Sequence, residues 1–390
     1  VNSIRHTGAS ADAITLDNSG NATFPANVTC SGTASGFGGG RAHNLIINGA
    51  MQVAQRGTSS TSSGYATVDR FRIDYSGTDE APTQAQVDVA SGTTPYTLGF
   101  RKAFKITNGN QTSGAGSSDF IYVRQTIEAQ DIANSGWNYT SASSYITLSF
   151  WIKSSVAQNF YGYLQSMDGT NYAYVYETGS LTANTWTKVT KTISGNSNLT
   201  FNNDNGHGLD MMVVRAFDGT DRTASMSLNA WATYSGTSRT PDQTSTWYTT
   251  NDATLEITGV LLEVGETASD FPHESYGDTL AKCQRYFLRL GYGKSDTYVA
   301  SGLSVGGTYS FAMLNLPTTM RAAPTLTEVD SLYSDDYIGS AAQITGIISS
   351  QVTVNGGRSQ FAHATHGATG RPIFIGTTNA TSGLDCSAEL

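Results

Sequence analysis

Sugar recognition needs flat aromatic faces that stack on pyranose rings, with amide, carboxylate and hydroxyl groups beside them to pair with the sugar hydroxyls. The sequence supplies both. Tyr161 and Tyr163 alternate, as do Tyr172, Tyr174 and Tyr176, and Asn159, Gln165, Asn171 and Glu177 flank them. Residues two apart share one face of a strand, so the spacing predicts an aromatic platform on one sheet. The other use of such rings is to pack a trimer interface or the rim of a core. Trp231, Tyr234, Trp247 and Tyr248 fall in a Ser/Thr-rich stretch with poor strand periodicity. That is the setting of loop aromatics, projecting toward a ligand or a subunit contact. Trp186 and Phe150 lie in regular strand patterns and are expected in the core.

Further along, His363 and His366 are three apart in His-Ala-Thr-His. That spacing points to opposite faces of a strand, so a solvated loop is expected, not a metal pair. With Tyr333, Tyr337 and Arg358 they form the polar and aromatic set available for contacts at a C-terminal tip. No GxSxG, HExxH, P-loop or GxGxxG in a strand-to-helix setting occurs. A glycosidase needs only two carboxylates, and Asp204, Asp210, Asp218 and Asp221 cluster between strand patterns. Turn residues are the plainer account of them, and no catalytic residue is assigned. Cys30, Cys283 and Cys386 are odd in number, far apart and without metal-ligand spacing, which predicts unpaired thiols.

The elements that must hold these residues are strands. Charged residues make up 14% of the 390, against about 25% in ordinary globular proteins, while Gly reaches 41 and Tyr 20. The net charge of -9 disfavours a nucleic-acid partner. No apolar run approaches the ~18 residues of a membrane span, and no signal peptide is recognisable. The chain starts at Val1, which reads as a fragment or a processed product, and release on a particle by lysis would carry it outside a cell.

Period-2 patterns appear at Ile14/Leu16 and from Phe24 to Cys30. Two such short strands are marginal alone, so residues 1–40 are expected to be disordered or intertwined with identical copies, ending in a Gly-rich linker. From residue 44, strand patterns recur at 71–75, 101–107, 120–128, 145–153, 160–164, 172–177, 186–193, 211–217 and 253–264. They predict a β-sandwich over 44–275. A short connector helix, or one that runs on into a strand, is expected within 276–291, with Leu280, Cys283 and Phe287 on one face and Asp278 as N-cap. Patterns at 308–316, 325–329, 343–348, 352–354, 359–362 and 372–375 predict a smaller C-terminal sandwich over 292–390.

Certain stretches resemble a known family. Ile14-Thr-Leu-Asp-Asn-Ser-Gly-Asn-Ala-Thr-Phe-Pro-Ala-Asn-Val is similar to repeats in the shafts and collars of bacteriophage tail fibres, which are homotrimers. Asn44-Leu-Ile-Ile-Asn-Gly-Ala-Met-Gln-Val-Ala-Gln-Arg-Gly, Asp69-Arg-Phe, Leu148-Ser-Phe-Trp-Ile-Lys-Ser-Ser, Asn184-Thr-Trp-Thr-Lys, Ile257-Thr-Gly-Val-Leu-Leu-Glu-Val-Gly and Cys283-Gln-Arg-Tyr-Phe resemble a module of phage fibres and spikes. The resemblance spans roughly residues 10–290. The same frame looks like the jelly-roll carbohydrate-binding modules of families 4, 9 and 22.

It implies an all-β homotrimer with a short stem, a jelly-roll domain and a tip domain. The implied role is a non-catalytic receptor-binding fibre of a virion, which contacts other tail proteins and host surface polysaccharide. The alternatives are a tailspike depolymerase and a capsid-attached structural fibre or decoration. Those modules often hold a structural calcium through acids that align with Gln52 and Thr258 here. No cofactor is therefore expected, with Glu263 and backbone carbonyls the remaining donors for a cation that needs six or more oxygens.

Overall fold

The computed structural model describes residues 44–390 apart from 220–226, 238, 292, 337, 339–340 and 365–367, together with residues 3–4, 14–18 and 22–23. Contacts divide the chain into two compact units, Val1–Arg41 and Ala42–Leu390. In the first, β1 (Ser3–Ile4), β2 (Ile14–Leu16) and β3 (Ala22–Thr23) pair antiparallel in that order. Ile4 stands opposite Ile14, and Thr15 opposite Thr23. The Ile14/Leu16 alternation is therefore a strand, while the pattern from Phe24 to Cys30 lies outside the described residues.

The second unit begins with twelve strands. They are β4 (Ser59–Ser60), β5 (Arg72–Ser76), β6 (Thr83–Asp88), β7 (Lys102–Thr107), β8 (Phe120–Glu128) and β9 (Tyr145–Ser154), then β10 (Asn159–Ser166), β11 (Tyr172–Ser180), β12 (Thr187–Ser194), β13 (His207–Asp218), β14 (Trp231–Thr233) and β15 (Thr254–Val264). A front sheet runs β14-β11-β10-β13-β8-β5 and a back sheet β12-β9-β15-β7-β6-β4, every pairing antiparallel. The two pack as a β-sandwich. Ile146, Leu148, Phe150 and Ile152 alternate along β9 and are completely buried against Ile121, Val123, Phe160 and Leu164 of the front sheet's inner face. Each such side chain contributes roughly 1.5–3 kcal/mol. Short helices α1 (Thr94–Thr97), α2 (Ala129–Ala133) and α3 (Thr246–Thr249) lie in the connections.

Helix α4 (Tyr276–Gln284) follows and leads directly into β16 (Phe287–Leu290). Its cap differs from expectation. Ser275, not Asp278, is the N-cap and accepts from the Asp278 backbone N–H, which puts the Asp278 carboxylate in the first turn where the helix dipole favours it. After β17 (Tyr298–Gly306), β18 (Tyr309–Asn315), β19 (Thr325–Val329), β20 (Leu332–Asp335), β21 (Ala341–Thr353), β22 (Gly356–His363), β23 (Pro372–Thr377) and β24 (Gly383–Ser387), the region is complete.

The smaller C-terminal sandwich is not what forms. Strands β17-β18-β22-β21-β20-β23 close into a barrel, and β16-β24-β19 make a separate three-stranded sheet. Closure depends on β17, which pairs with both β18 and β23 and leaves no free edge. At Gly302 a Cβ would lie 1.7 Å from the Phe311 carbonyl oxygen, so only glycine permits that approach.

The barrel region is tied to the sandwich by charge. Arg285 donates to both oxygens of Glu128 (2.8 and 2.7 Å), and Tyr286 donates to the same carboxylate. Burial pushes the Glu128 carboxyl up, but these bonds outweigh it and hold the group below its ordinary range. Arg70 pairs with Glu389 and stacks 3.5 Å over the Tyr286 ring. Cys283 and Cys386 are unbonded and buried, burial lifting the Cys386 thiol to about 12, and Cys30 lies outside the described residues.

Candidate functional site: a cleft on the front sheet

Three neighbouring strands, β10, β13 and β8, bring their outward residues into rows across the front sheet. Gln165, Asp210 and Thr126 form one row, Tyr163, Met212 and Arg124 the next, then Tyr161, Arg215 and Tyr122, with Asp218 beside Phe120 at the end. Strict alternation along β13 from Asp210 and Met212 would next bring out Val214, which is a core residue. Register irregularities between Met212 and Val214, and again between Arg215 and Phe217, each insert a residue and reset the phase. Arg215 and Asp218 thereby reach the front. Tyr234, just past β14, closes one side with its ring 6.0 Å from that of Tyr163. The result is a cleft of about 240 Å³.

Charge is layered within it. Asp218 is fully buried, bonded by Arg215 (2.8 Å), by Arg239 (2.6 and 3.0 Å) and by the Thr240 hydroxyl (3.0 Å). Arg215 also donates to the Tyr163 hydroxyl (3.3 Å) and lies 4.3 Å over the Tyr122 ring. Arg124 spans Asp210 (2.9 Å) and Asp74 (3.4 Å). Asp210 takes further bonds from Thr126 and His207, both at 2.6 Å. Burial raises its carboxyl, but His207 and Arg124 outweigh that and hold it below the usual range. Burial raises the Tyr163 and Tyr122 phenols. Gln165 is only 5% exposed, lines the cleft, and its side-chain amide bonds to none of the described residues.

The single aromatic platform expected from the tyrosines does not form. Tyr161 and Tyr163 face outward, Tyr161 half-buried and Tyr163 on the cleft floor, whereas Tyr172, Tyr174 and Tyr176 turn into the sandwich. The reason is register: Tyr163 pairs with Val175, while Tyr176 pairs with Gly162, whose missing side chain is the space its ring occupies. Trp231 also faces inward, edge-on to Tyr174 at 5.6 Å, with its indole N–H on the Ser194 carbonyl. Trp247 and Tyr248 are not outward loop aromatics. Both are buried in α3, where Tyr248 stacks on Phe217 at 4.3 Å and donates to Asp119. Trp186 departs from the core role as well. It is half-buried on the back sheet's outer face beneath Lys153, and Phe150 is the core residue.

Of the tip set, Tyr337 and His366 lie outside the described residues. His363 is buried, not solvated: its ring donates to the Ala364 carbonyl and accepts from Ser310. Arg358 lies 4.1 Å over Phe311. Tyr333 is level with Gln343 of β21 and Arg358 with Gln351, eight residues on, so the barrel does not gather them.

Sequence reasoning missed Phe120, Tyr122, Arg124, Arg215 and Arg239 as site residues. The first three were visible as the polar and aromatic phase of β8, but the phase resets in β13 leave no mark in the sequence. Asp210 and Asp218 are strand residues in ion pairs, not turn residues, Asp204 is in an exposed turn, and Asp221 lies outside the described residues. At the positions of the family's calcium acids, Thr258 donates its hydroxyl to the Lys102 carbonyl, and nearby Ser269 donates to both Glu263 oxygens from its backbone N–H and its hydroxyl. Among the described residues no group of three or more His, Cys, Asp or Glu could hold a metal.

No protein-family model matches the chain, and no curated protein does. Among solved structures it is similar to the enzymatically active domain of tailspike protein 4 of bacteriophage CBA120, at 13% identity and TM-score 0.32, over 57% of this chain and 21% of that one. It is also similar to a putative sugar binding protein from Bacteroides thetaiotaomicron, at 13% identity and TM-score 0.30, over 57% of this chain and 100% of that one. A third is the N-terminal tandem of family 22 carbohydrate-binding modules of Xyn10C from Paenibacillus barcinonensis, at 9% identity and TM-score 0.27, over 89% of this chain and 96% of that one. Likenesses this slight carry no functional weight.

Proposed function

We propose that the protein is the receptor-binding part of a bacteriophage fibre, which holds host surface polysaccharide in the front-sheet cleft without cleaving it. The observation that carries this reading is the cleft itself. Half-buried rings of Phe120, Tyr122 and Tyr234 surround polar groups that include the Gln165 amide, which bonds none of the described residues, the combination that sugar faces and hydroxyls require. Binding without cleavage is supported by the carboxylates. A glycosidase needs a proton-donating acid, and Asp210 is held below its usual range while Asp218 is locked between two arginines. The virion setting rests on the sequence motifs between residues 10 and 290. Residues 1–40 would join three copies and dock on other tail proteins, and three linked weak sites raise avidity by orders of magnitude.

A printed array of bacterial surface polysaccharides, probed with the labelled chain, tests this reading. Retention on a subset, with competition against phage adsorption to cells carrying that polysaccharide, is the expected outcome. Retention on none, or steady release of new reducing ends from a bound polymer, would sink it.

A further inference from the structure

We propose that the cleft selects acidic saccharides, polymers whose sugar units carry carboxylates. The inference rests on the glycan-binding reading and narrows it to a ligand class. Its basis is how charge is stacked. Among the described residues, Arg72 and Arg124 pair with Asp74 and Asp210 in one set and Arg215 and Arg239 with Asp218 in another, four arginines minus three aspartates leaving one positive charge. This occurs in a chain whose net charge is -9. Depth sharpens the imbalance: Arg124 and Arg239 keep 18% and 16% of their side chains exposed, while Asp210 and Asp218 keep 3% and 0%. A ligand entering the cleft thus meets guanidinium edges first, and the carboxylates that orient them lie beneath. Glu177 stands on the margin beside Tyr161, bonded to Asn159.

Gln165 is the independent second observation. Gln165 is 5% exposed, its amide bonds none of the described residues, and that amide is not sealed from solvent, so it stands open to a ligand entering the cleft. Asp210 stands beside it in register and is itself bonded to Arg124. A sugar carboxylate lying here would accept from the Gln165 amide N–H and from an exposed guanidinium edge, which are charge-assisted bonds of the stronger kind. A neutral sugar's hydroxyls would accept from the same donors without a second charge to strengthen those bonds.

The test titrates the full chain with matched polymers: polygalacturonate, hyaluronan and alginate, each beside its own carboxyl-reduced form. Binding of at least one acidic polymer about tenfold tighter than its reduced form is expected, with the difference shrinking as NaCl rises from about 0.05 to about 0.5 M. Equal binding of both forms, or a preference that salt does not weaken, overturns the acidic class and leaves the glycan reading standing. Retention of neither form, here and across the bacterial array, overturns both. Gln165→Leu, with an unchanged unfolding midpoint, is expected to lose about tenfold in affinity for the acidic polymer. Unaltered affinity in that variant would place the binding elsewhere.

Discussion

Asp218 at the bottom of the cleft joins two guanidinium groups, so its truncation leaves Arg215, only 1% exposed, without a counter-charge. Removing one partner of a buried pair costs about 3–5 kcal/mol. Urea unfolding of Asp218→Ala should register that loss, whereas Asp204→Ala, in an exposed turn, should be close to neutral. A second buried aspartate behaves in the opposite sense with pH. Asp69, 1% exposed, accepts from the Gln55 backbone N–H, yet burial lifts its carboxyl from 3.8 to about 6. The folded chain therefore keeps a proton that the unfolded chain releases. The stability this contributes is complete below about 3.8 and is lost as pH rises through about 6, a change on the order of 3 kcal/mol. Thermal melts of Asp69→Asn across that window should lack this fall. An unaltered slope would mean that another group titrates there.

Where strands cross, a missing side chain can matter as much as one present. A Cβ at Gly162 would come within 2.5 Å of the Tyr176 ring and 2.6 Å of the Met212 carbonyl that this tyrosine's hydroxyl contacts. Gly162→Ala is expected to cost about 1–3 kcal/mol through overpacking, read as a lower urea midpoint. The same pair shows how far the sequence could be read. Alternation identified β10 and β11 as strands, and β8 with its bounds, because Ile121 and Val123 interleave with polar and aromatic residues. Nothing within a strand states its phase relative to a neighbour, which the turn sets, so the tyrosines of β10 and β11 read alike and point opposite ways. The phase resets of β13 are likewise backbone events without a residue signature. Strand β17 went unread because its Ser and Gly residues dilute the alternation, and without it the barrel looked like an open sandwich.

At the scale of the whole molecule, the proposed fibre is a trimer, and light scattering on the intact chain should return about three times 41.3 kDa. A monomer that persists with residues 1–40 present would remove the stem from the proposal. The pairing of Arg70 and Arg56 with Glu389 also bears on time. Arg70 is 1% exposed, and its acidic partner is 319 residues further along the chain. At about 5–20 residues per second, a ribosome needs roughly 15–60 s to make that stretch. Throughout that interval the sandwich has a guanidinium with no carboxylate to meet, and closing so long a loop is slow in its own right. The ion pair that joins the segment after β24 to the sandwich thus sets a clock, for the early part of this unit becomes fully stable only when residue 389 has been made.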